Sequence, residues 1–248
     1  PCPDWPAEVT PPCDPALIAS GEAALAASTD RVVFVEWDGK GYVMKRLADH
    51  RPRPRLQSLA LRWLVKRITG LSLSMDTMRL ADRQFQAGGE ARRLIALAQA
   101  GVKVPPVLHQ GAHYFLMPHC GEPLADLLAK WSPEQARDEL IAQAAALGQF
   151  HRAGQWHGAA QIKNLTRMDD QVYRIDFEES FGEQVPLPVA QALDLVLFID
   201  SVALAGPLEE AESRRLLPQL LNTWAGQQPD AAVIDVLRRG ERWLARLA

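Results

Sequence analysis

Residues 157–179 read HGAAQIKNLTRMDDQVYRIDFEE, and this stretch decides the fold. A polar loop leads through a short connection into an apolar strand, Val172 to Ile175, which ends at Asp176. A hairpin here sets the Asn164 amide and the Asp176 carboxylate at the two ends of its arms. Divalent cations such as Mg²⁺ take oxygen ligands of this kind and leave positions for phosphate oxygens. The stretch therefore predicts a cation site at Asn164 and Asp176.

Bulk composition is that of an ordinary soluble protein. The 248 residues are 48% hydrophobic and 23% charged, which suffices for a core in one domain or two small lobes. A net charge of −3 argues against general binding of nucleic acid. The scattered cysteines Cys2, Cys13 and Cys120 favour a reducing compartment over a disulfide framework, with a Cys2–Cys13 pair as the alternative. Without a signal peptide or an apolar run of ~20 residues, we expect a cytoplasmic protein.

Two β-rich runs near the N-terminus predict a hairpin that carries a lysine. They cover residues 31–37 and 42–47, and the turn signal Asp38-Gly39-Lys40-Gly41 lies between them. Lys45 lies on the second run, where by itself it would be a surface lysine at a strand edge. Ahead of the hairpin, Asp14-Pro15 favours a short helix over residues 16–28. A degenerate phosphate-covering turn at Ser20-Gly21 is the alternative.

Residues 46–70 form a basic insert after the lysine strand. Seven basic residues face one acid, Asp49, between positions 46 and 67, and residues 56–68 have an apolar helical face with Trp63. A basic amphipathic helix with a tryptophan can lie on an anionic membrane surface. A helix that caps the lobe with solvated charges fits the same pattern. The insert therefore leaves peripheral contact with an anionic membrane surface through residues 46–68 as one of two alternatives.

A helix over residues 84–100 follows from apolar residues at helical spacing and from Gly101 as its stop. Glu90 lies inside it, and a helix placed shortly after the lysine strand can present this carboxylate to Lys45. Glu36 is the other candidate partner, but it lies on a strand, so we favour Glu90. Strands around Val107-Leu108 and over residues 114–117 complete the predicted sheet.

The stretch from Met117 to Gly121 ends the strand pattern, and helical patterns follow it. We therefore divide the chain into an N-terminal lobe, 1–118, and a C-terminal lobe, 119–248, with a cofactor cleft between them. The C-terminal lobe holds helices over residues 136–154, 208–225 and 231–247. A further apolar helix, residues 191–198, contains one carboxylate, Asp194. A buried carboxylate needs partners, so Asp194 is a scaffold candidate; an exposed aspartate near a helix start is the alternative.

The ordered set of these residues resembles kinase-fold phosphotransferases. Tyr-Val-Met-Lys at 42–45 is similar to the Val-Ala-Ile-Lys strand of kinases. The loop from His157-Gly158 as far as Asn164 is similar to their catalytic loop. Asp-Phe-Glu at 176–178 is similar to their Asp-Phe-Gly motif. The resemblance is strongest to bacterial lipopolysaccharide core kinases, the heptose and Kdo group, which are also similar to Rio-type and Bud32-type atypical kinases. The basic insert and the short segment after Asp176 fit that group.

The resemblance implies an α+β, two-lobed protein-kinase-like fold: a small N-terminal lobe with an antiparallel sheet and a helix, and a mainly helical C-terminal lobe. It implies ATP and Mg²⁺ as cofactors, and transfer of the γ-phosphoryl group to a sugar hydroxyl of a lipid-linked core at the inner membrane. By this resemblance, Lys45 binds phosphate and is oriented by Glu90, and Asn164 and Asp176 bind Mg²⁺. The linker around Met117 and His119 contacts the adenine. His157 and Asp194 support the catalytic loop.

One position departs from that family, because Ala159 stands where the kinases carry the catalytic aspartate. General-base help is typically worth ~10²–10⁴ in rate. Phosphoryl transfer also depends on positioning and electrostatics, which the other groups supply. Gln161 could orient an acceptor, and Glu178 or Glu179 could serve as a carboxylate in place of the aspartate. The alternatives are a pseudokinase that binds nucleotide or a protein partner without turnover, and other chemistry such as nucleotidyl transfer or hydrolysis.

Overall fold

The computed structural model describes residues 13–47, 66, 88–179, 181–183, 185–205 and 208–244. Over these residues the chain has an N-terminal part built on an antiparallel sheet and a mostly helical remainder. This architecture confirms the predicted α+β fold class, with an antiparallel sheet in the N-terminal part and a mainly helical remainder. The predictions for the basic insert, apart from residues 46, 47 and 66, and for residues 84–87 of the Glu90 helix lie outside the described residues.

The N-terminal sheet has four strands in the order β1-β2-β4-β3, and every neighbouring pair is antiparallel. The strands are β1 (Val32–Trp37), β2 (Lys40–Arg46), β3 (His109–Gln110) and β4 (Tyr114–Pro118). Asp38 and Gly39 connect β1 to β2 with φ angles of 49° and 67°. A two-residue hairpin with both φ angles positive is the type I′ turn that an Asp-Gly pair favours. The predicted hairpin is therefore present.

Strand β3 begins later than predicted. The expected strand around Val107-Leu108 is irregular, and ladder pairing with β4 covers only His109 and Gln110. Two prolines, Pro105 and Pro106, precede it and have no N–H group to donate to a ladder. The apolar run at 107–108 thus leads into the strand, and the N–H of Leu108 already donates to the Leu116 carbonyl of β4 at 2.8 Å.

A helix, α1 (Pro15–Ala27), covers one face of this sheet. The Asp14 side chain caps it by accepting the N–H of Ala16 at 2.8 Å. Ser20 and Gly21 lie inside the helix, so the alternative of a phosphate-covering turn at this position is wrong. Gly21 instead allows close packing, because a Cβ atom there would lie 2.3 Å from Cε of Met44.

The two faces of the sheet therefore have different neighbours. Met44 and Tyr42 pack with α1, whereas Val43 packs in the main core of the protein. Residues directly opposite each other in an antiparallel pair lie on the same face. Phe34 pairs with Val43, and Val32 pairs with Lys45. Phe34 and Lys45 consequently share the face of the sheet that points away from α1.

The other elements are helices and a short three-stranded sheet. The helices are α2 (Gly89–Gln99), α3 (Leu124–Leu128), α4 (Pro133–Arg152), α5 (Leu187–Ala205), α6 (Glu210–Gly226) and α7 (Ala231–Leu244). Ser132 and Gln135 form a reciprocal capping box at the start of α4. The small sheet has the order β5 (Glu122–Pro123), β6 (Leu165–Met168) and β7 (Gln171–Arg174). None of the helices that the structure describes is both long and apolar enough to cross a membrane.

Gly121 makes the junction between β4 and β5 and offers a test of this packing. Its φ is +87°, and a Cβ atom there would lie 2.0 Å from the Arg167 carbonyl oxygen of β6. We expect Gly121→Ala to cost about 2–4 kcal/mol of unfolding free energy, because left-handed strain and overlap with backbone add. Gly101→Ala is the matched control, since φ there is +77° with no atom within 4 Å.

Urea unfolding of the two variants measures the difference. We expect Gly101→Ala to lose only the backbone strain, about 1 kcal/mol. Equal losses in the two variants would contradict close packing of Gly121 on β6.

Candidate active site

Lys45 lies at the centre of the predicted site, on β2 and 5% exposed. Its Nζ donates to Oε1 of Glu90 at 2.8 Å and to Oδ1 of Asp176 at 2.9 Å. It also forms an ion pair with Glu178. Glu90 lies in the first turn of α2, where the positive end of the helix dipole favours a carboxylate. The structure thus brings together one lysine and three carboxylates from distant parts of the sequence.

Arg31 completes this group from the residue before β1. Its Nη1 pairs with Oε2 of Glu178, and its Nη2 lies 3.7 Å from Oε2 of Glu90. We call Arg31, Lys45, Glu90, Asp176 and Glu178 the Lys45 cluster. Two cations thus face three carboxylates; Lys45 and Glu90 are buried, whereas the side chains of Arg31, Asp176 and Glu178 are partly exposed.

Burial and ion pairing act on the pKa values in opposite directions within the Lys45 cluster. Burial raises the pKa of Glu90 to about 7, although the Lys45 ammonium opposes it. Burial also raises the pKa of Asp176, and the neighbouring Glu178 adds to the rise. Burial would raise the pKa of Glu178 too, but hydrogen bonds with Asp176, Lys45 and Arg31 outweigh it and lower that pKa to about 2. For Lys45, burial opposes the charge, but the carboxylates outweigh burial and raise its pKa.

The loop that begins at His157 is held by Asp194 of α5. This carboxylate is fully buried and accepts the backbone N–H groups of His157 and, at 2.7 Å, Gly158. Gly158 has a φ of +92°, and a Cβ atom there would lie 2.7 Å from Cβ of Glu179. One carboxylate therefore holds the start of the loop, and one glycine allows its path there.

His157 supports the next loop through its ring. The ring stacks on Phe177, with centroids 4.2 Å apart and planes 25° apart. Burial lowers the pKa of His157 to about 4, and Arg174 and Arg93 lower it further against the opposing charge of Asp194. The imidazole is therefore neutral at physiological pH, and besides its stack on Phe177 its Nδ1 accepts the N–H of Ala159 at 3.2 Å.

Asn164 and Asp176 lie at the open end of the β6–β7 hairpin. Leu165 pairs with Arg174, and the Asn164 carbonyl accepts the N–H of Ile175 at 3.0 Å. The Asn164 side chain donates from Nδ2 to the Ala159 carbonyl at 2.8 Å, which assigns the nitrogen end of the amide as the donor. Asp176 has a left-handed φ of +68°, a conformation that aspartate tolerates better than most residues.

This donor set fits a divalent cation by its chemistry. Asn164 and Asp176 supply amide and carboxylate oxygens, the ligand types that Mg²⁺ prefers. Carboxylate oxygens of Glu90, Asp176 and Glu178 also lie within 4.8 Å of one another. The Lys45 ammonium contacts all three of these carboxylates and balances part of their charge.

The remaining predicted site residues lie nearby with different surroundings. Met117 is buried in β4 opposite Val43, on the Lys45 face of the sheet. The exposed His119 donates its N–H to the Gly41 carbonyl at 2.9 Å, and its ring contacts Phe34 edge to face at 5.6 Å. Gln161 precedes a 3₁₀ turn, Ile162–Asn164, and donates its N–H to the Ala159 carbonyl at 2.7 Å.

Sequence patterns did not indicate Arg93 or Trp156. The Arg93 guanidinium lies 3.4 Å from the Trp156 ring centroid and 5.5 Å from that of Phe177. It also donates to the Trp156 carbonyl, and burial lowers its pKa to about 10. Arg93 follows Glu90 by three positions, a spacing that sets both on one side of α2. That spacing could have indicated from sequence that Arg93 lies near the site. Its contact with Trp156 is visible only in the structure.

Comparisons with known proteins give similarity to solved structures but no family match. No protein-family model matches the chain, and no curated protein matches it. A solved structure of WaaP in complex with acyl carrier protein is similar, with 17% sequence identity and a TM-score of 0.47. The similarity covers 92% of this chain and 96% of that chain.

Asp194 provides a test of how the loop is held. We expect Asp194→Asn to lower the free energy of unfolding by about 2–3 kcal/mol, because the amide can accept at only one of its two ends and leaves a buried N–H unpaired. Asp200→Asn is the matched control, since Asp200 lies on the same helix and is exposed. Urea denaturation measures both. Equal stability of the two variants would contradict the loop-holding contact.

Proposed function

We propose that this chain is a kinase-like phosphotransferase that binds ATP with Mg²⁺ and transfers the terminal phosphoryl group to a hydroxyl. The observation that carries the proposal is the convergence on Lys45 of Glu90 from α2 and Asp176 from the end of the β6–β7 hairpin. A buried lysine held by a helix carboxylate beside a second, metal-binding carboxylate is the arrangement that kinase chemistry requires. The nucleotide would lie in a cleft between a lobe of residues 1–118 and one of residues 119–248.

The residues of the site divide the work as follows. Lys45 would bind phosphate oxygens while Glu90 keeps its ammonium in place, and Asn164 and Asp176 would hold Mg²⁺. When bound, Mg²⁺ supplies charge neutralisation on the phosphate oxygens. Asp194 and the His157–Phe177 stack would keep the two loops in position. All of these roles are binding and positioning, which dominate phosphoryl transfer.

The base of the nucleotide would lie on the Lys45 face of the sheet. Phe34 is 70% exposed there, opposite Val43, with the His119 ring at its edge. Aromatic side chains stack well on nucleobases. The backbone N–H of His119 already donates to the Gly41 carbonyl. We therefore assign recognition of the base to stacking on Phe34 and not to a hydrogen bond from His119.

Ala159 leaves the acceptor hydroxyl without the usual carboxylate. Glu178 is a weak substitute as a base, because hydrogen bonds with Asp176, Lys45 and Arg31 outweigh burial and lower its pKa to about 2. Its contacts favour charge pairing with Lys45 and Arg31 over proton transfer. Gln161 lies within the same loop as Ala159, and we assign it the orientation of the acceptor hydroxyl. Transfer would then depend on positioning, with a rate below that of kinases that have a general base.

For the acceptor we propose a sugar hydroxyl of lipopolysaccharide core or of a related small molecule. The support is the sequence resemblance to lipopolysaccharide core kinases, together with the short path from Asp176 to the start of α5 at Leu187. Such a path leaves little chain for a peptide-docking platform. A lipid-linked acceptor is consistent with a cytoplasmic protein that contacts the inner membrane through the basic residues 46–68.

A pseudokinase is the second candidate function, and a specific observation favours it. Ala159 cannot accept a proton, and the carboxylates of the Lys45 cluster already surround the lysine. Such a protein would bind nucleotide without transferring phosphate. Transfer of radiolabelled phosphate from ATP to lipopolysaccharide core fractions separates the two functions, since tight nucleotide binding without a labelled acceptor identifies the pseudokinase.

Lys45→Met tests the nucleotide site. We expect it to weaken binding of ATP with Mg²⁺ by about tenfold or more, the value of one or more charge-assisted hydrogen bonds. Isothermal titration calorimetry measures the affinity, after circular dichroism has verified that the variant is folded. Lys130→Met is the matched control, because Lys130 is an exposed lysine paired with Glu122. Unchanged affinity in Lys45→Met would rule out a phosphate role for Lys45.

Phe34→Ala tests the position of the base. We expect affinity for ATP to fall by about tenfold, since base–aromatic stacking is worth ~1–3 kcal/mol, while affinity for inorganic tripolyphosphate stays unchanged. Leu221→Ala is the control, because Leu221 is an exposed hydrophobic residue on α6. A loss of both ligands in equal measure, or of neither, would contradict stacking on Phe34.

A further inference from the structure

Glu178 forms ion pairs with two cations at once. Its Oε1 pairs with Nζ of Lys45, and its Oε2 pairs with Nη1 of Arg31. Both cations belong to the N-terminal sheet region, whereas Glu178 follows the β6–β7 hairpin. The two oxygens of a single carboxylate are therefore held by an ammonium and a guanidinium from another part of the chain.

Such a pair of cations is a binding site for an oxyanion. Ammonium and guanidinium groups bind carboxylate and phosphate oxygens by the same charge-assisted hydrogen bonds. Lys45 is buried and is fixed from the other side by Glu90 and Asp176. Arg31 has a second contact as well, from Nε to the Arg46 carbonyl at 3.3 Å. Both cations are thus held in place by contacts other than those with Glu178.

We propose that Glu178 is an internal competitor for phosphate: its carboxylate occupies the anion position on Lys45 and Arg31, a nucleotide phosphate displaces it, and Arg31 is then a second phosphate ligand. The identity of the displacing anion rests on the proposed function. The site itself rests on the two ion pairs of Glu178.

Charge explains why displacement is required. The Lys45 cluster already contains three carboxylates and two cations. A phosphate group that joined it with Glu178 still in place would add negative charge directly next to a carboxylate, which is unfavourable. Exchange of one oxyanion for another leaves the cations paired throughout.

The local structure allows Glu178 to leave without disturbing the loop. Phe177, directly before it, is fully buried and stacked on His157, so the backbone is fixed at that point. The Glu178 side chain is 31% exposed and therefore has access to solvent. A change of side-chain rotamer is sufficient. The kinase motif Asp-Phe-Gly has a glycine here, which has no side chain to compete.

The test compares Glu178→Gln with the wild-type chain, with sodium tripolyphosphate in the absence of magnesium and then ATP with Mg²⁺ as the titrants in calorimetry. We expect Glu178→Gln to bind both about tenfold more tightly, because the neutral amide competes less for the cations. Glu122→Gln is the matched control, since it removes the carboxylate of an exposed Glu–Lys pair.

Arg31→Met tests the second ligand, with Arg137→Met as the control for loss of a surface arginine. We expect Arg31→Met to weaken tripolyphosphate binding about tenfold in the Glu178→Gln background. In the wild-type background we expect a smaller loss, because Arg31 there also holds the competitor. This non-additivity is the signature of competition, which a purely structural salt bridge does not produce.

Unchanged or weaker tripolyphosphate binding in Glu178→Gln overturns the proposal. If that variant does not fold, Glu178→Asp provides the same comparison with a shortened carboxylate, and again tighter binding supports the proposal while equal or weaker binding overturns it. Failure of the proposed function gives a different result: tripolyphosphate binding that responds to residues 31 and 178, with no affinity for ATP beyond that for tripolyphosphate.

Discussion

The contact on which this structure depends is the one between the Lys45 ammonium and the carboxylates around it. An unpaired lysine at this depth would be expelled or neutralised, so the buried charge requires Glu90 and Asp176 beside it. Meeting that requirement brings the sheet, helix α2 and the β6–β7 hairpin to one point. The carboxylates in turn need a cation beside them, and this need holds the lysine in place. A polar group inside an apolar core thus determines which parts of the chain meet.

A second buried carboxylate organises the region below this contact. Asp194 fixes the start of the loop from His157, and the His157–Phe177 stack connects that loop to the one that carries Asp176. Arg93 adds a further connection, from α2 to Trp156 and Phe177. Helix α2 is therefore coupled to both loops through its side chains. A shift of this helix would move the partner of Lys45 and the supports of the loops together.

Much of the fold was predictable because local chemistry and fold agree. The Asp-Gly turn, the Asp14 cap and the Ser132 cap act over a few residues and are visible in sequence. The residues of the Lys45 cluster that match a kinase pattern, Lys45, Glu90 and Asp176, were also predicted to meet. Arg31, Arg93 and Trp156 were not, because their partners are distant in the chain and no motif marks them. The expected strand around 107–108 lies at 109–110, one residue beyond the apolar run, although the N–H of Leu108 already bonds to Leu116 of β4.

The position of α1 affects how water would be excluded from a phosphoryl group during transfer. Residues 15–27 are committed to the face of the sheet opposite Lys45, where Leu17 and Leu25 are buried, so this segment cannot also fold over the phosphates as a flap. Under the proposed function, this leaves α1 out of that role, and we infer that the bound acceptor keeps water from the reacting phosphorus. Such an enzyme would hydrolyse ATP whenever the acceptor dissociates, so the fraction of ATP used for transfer would depend on acceptor occupancy.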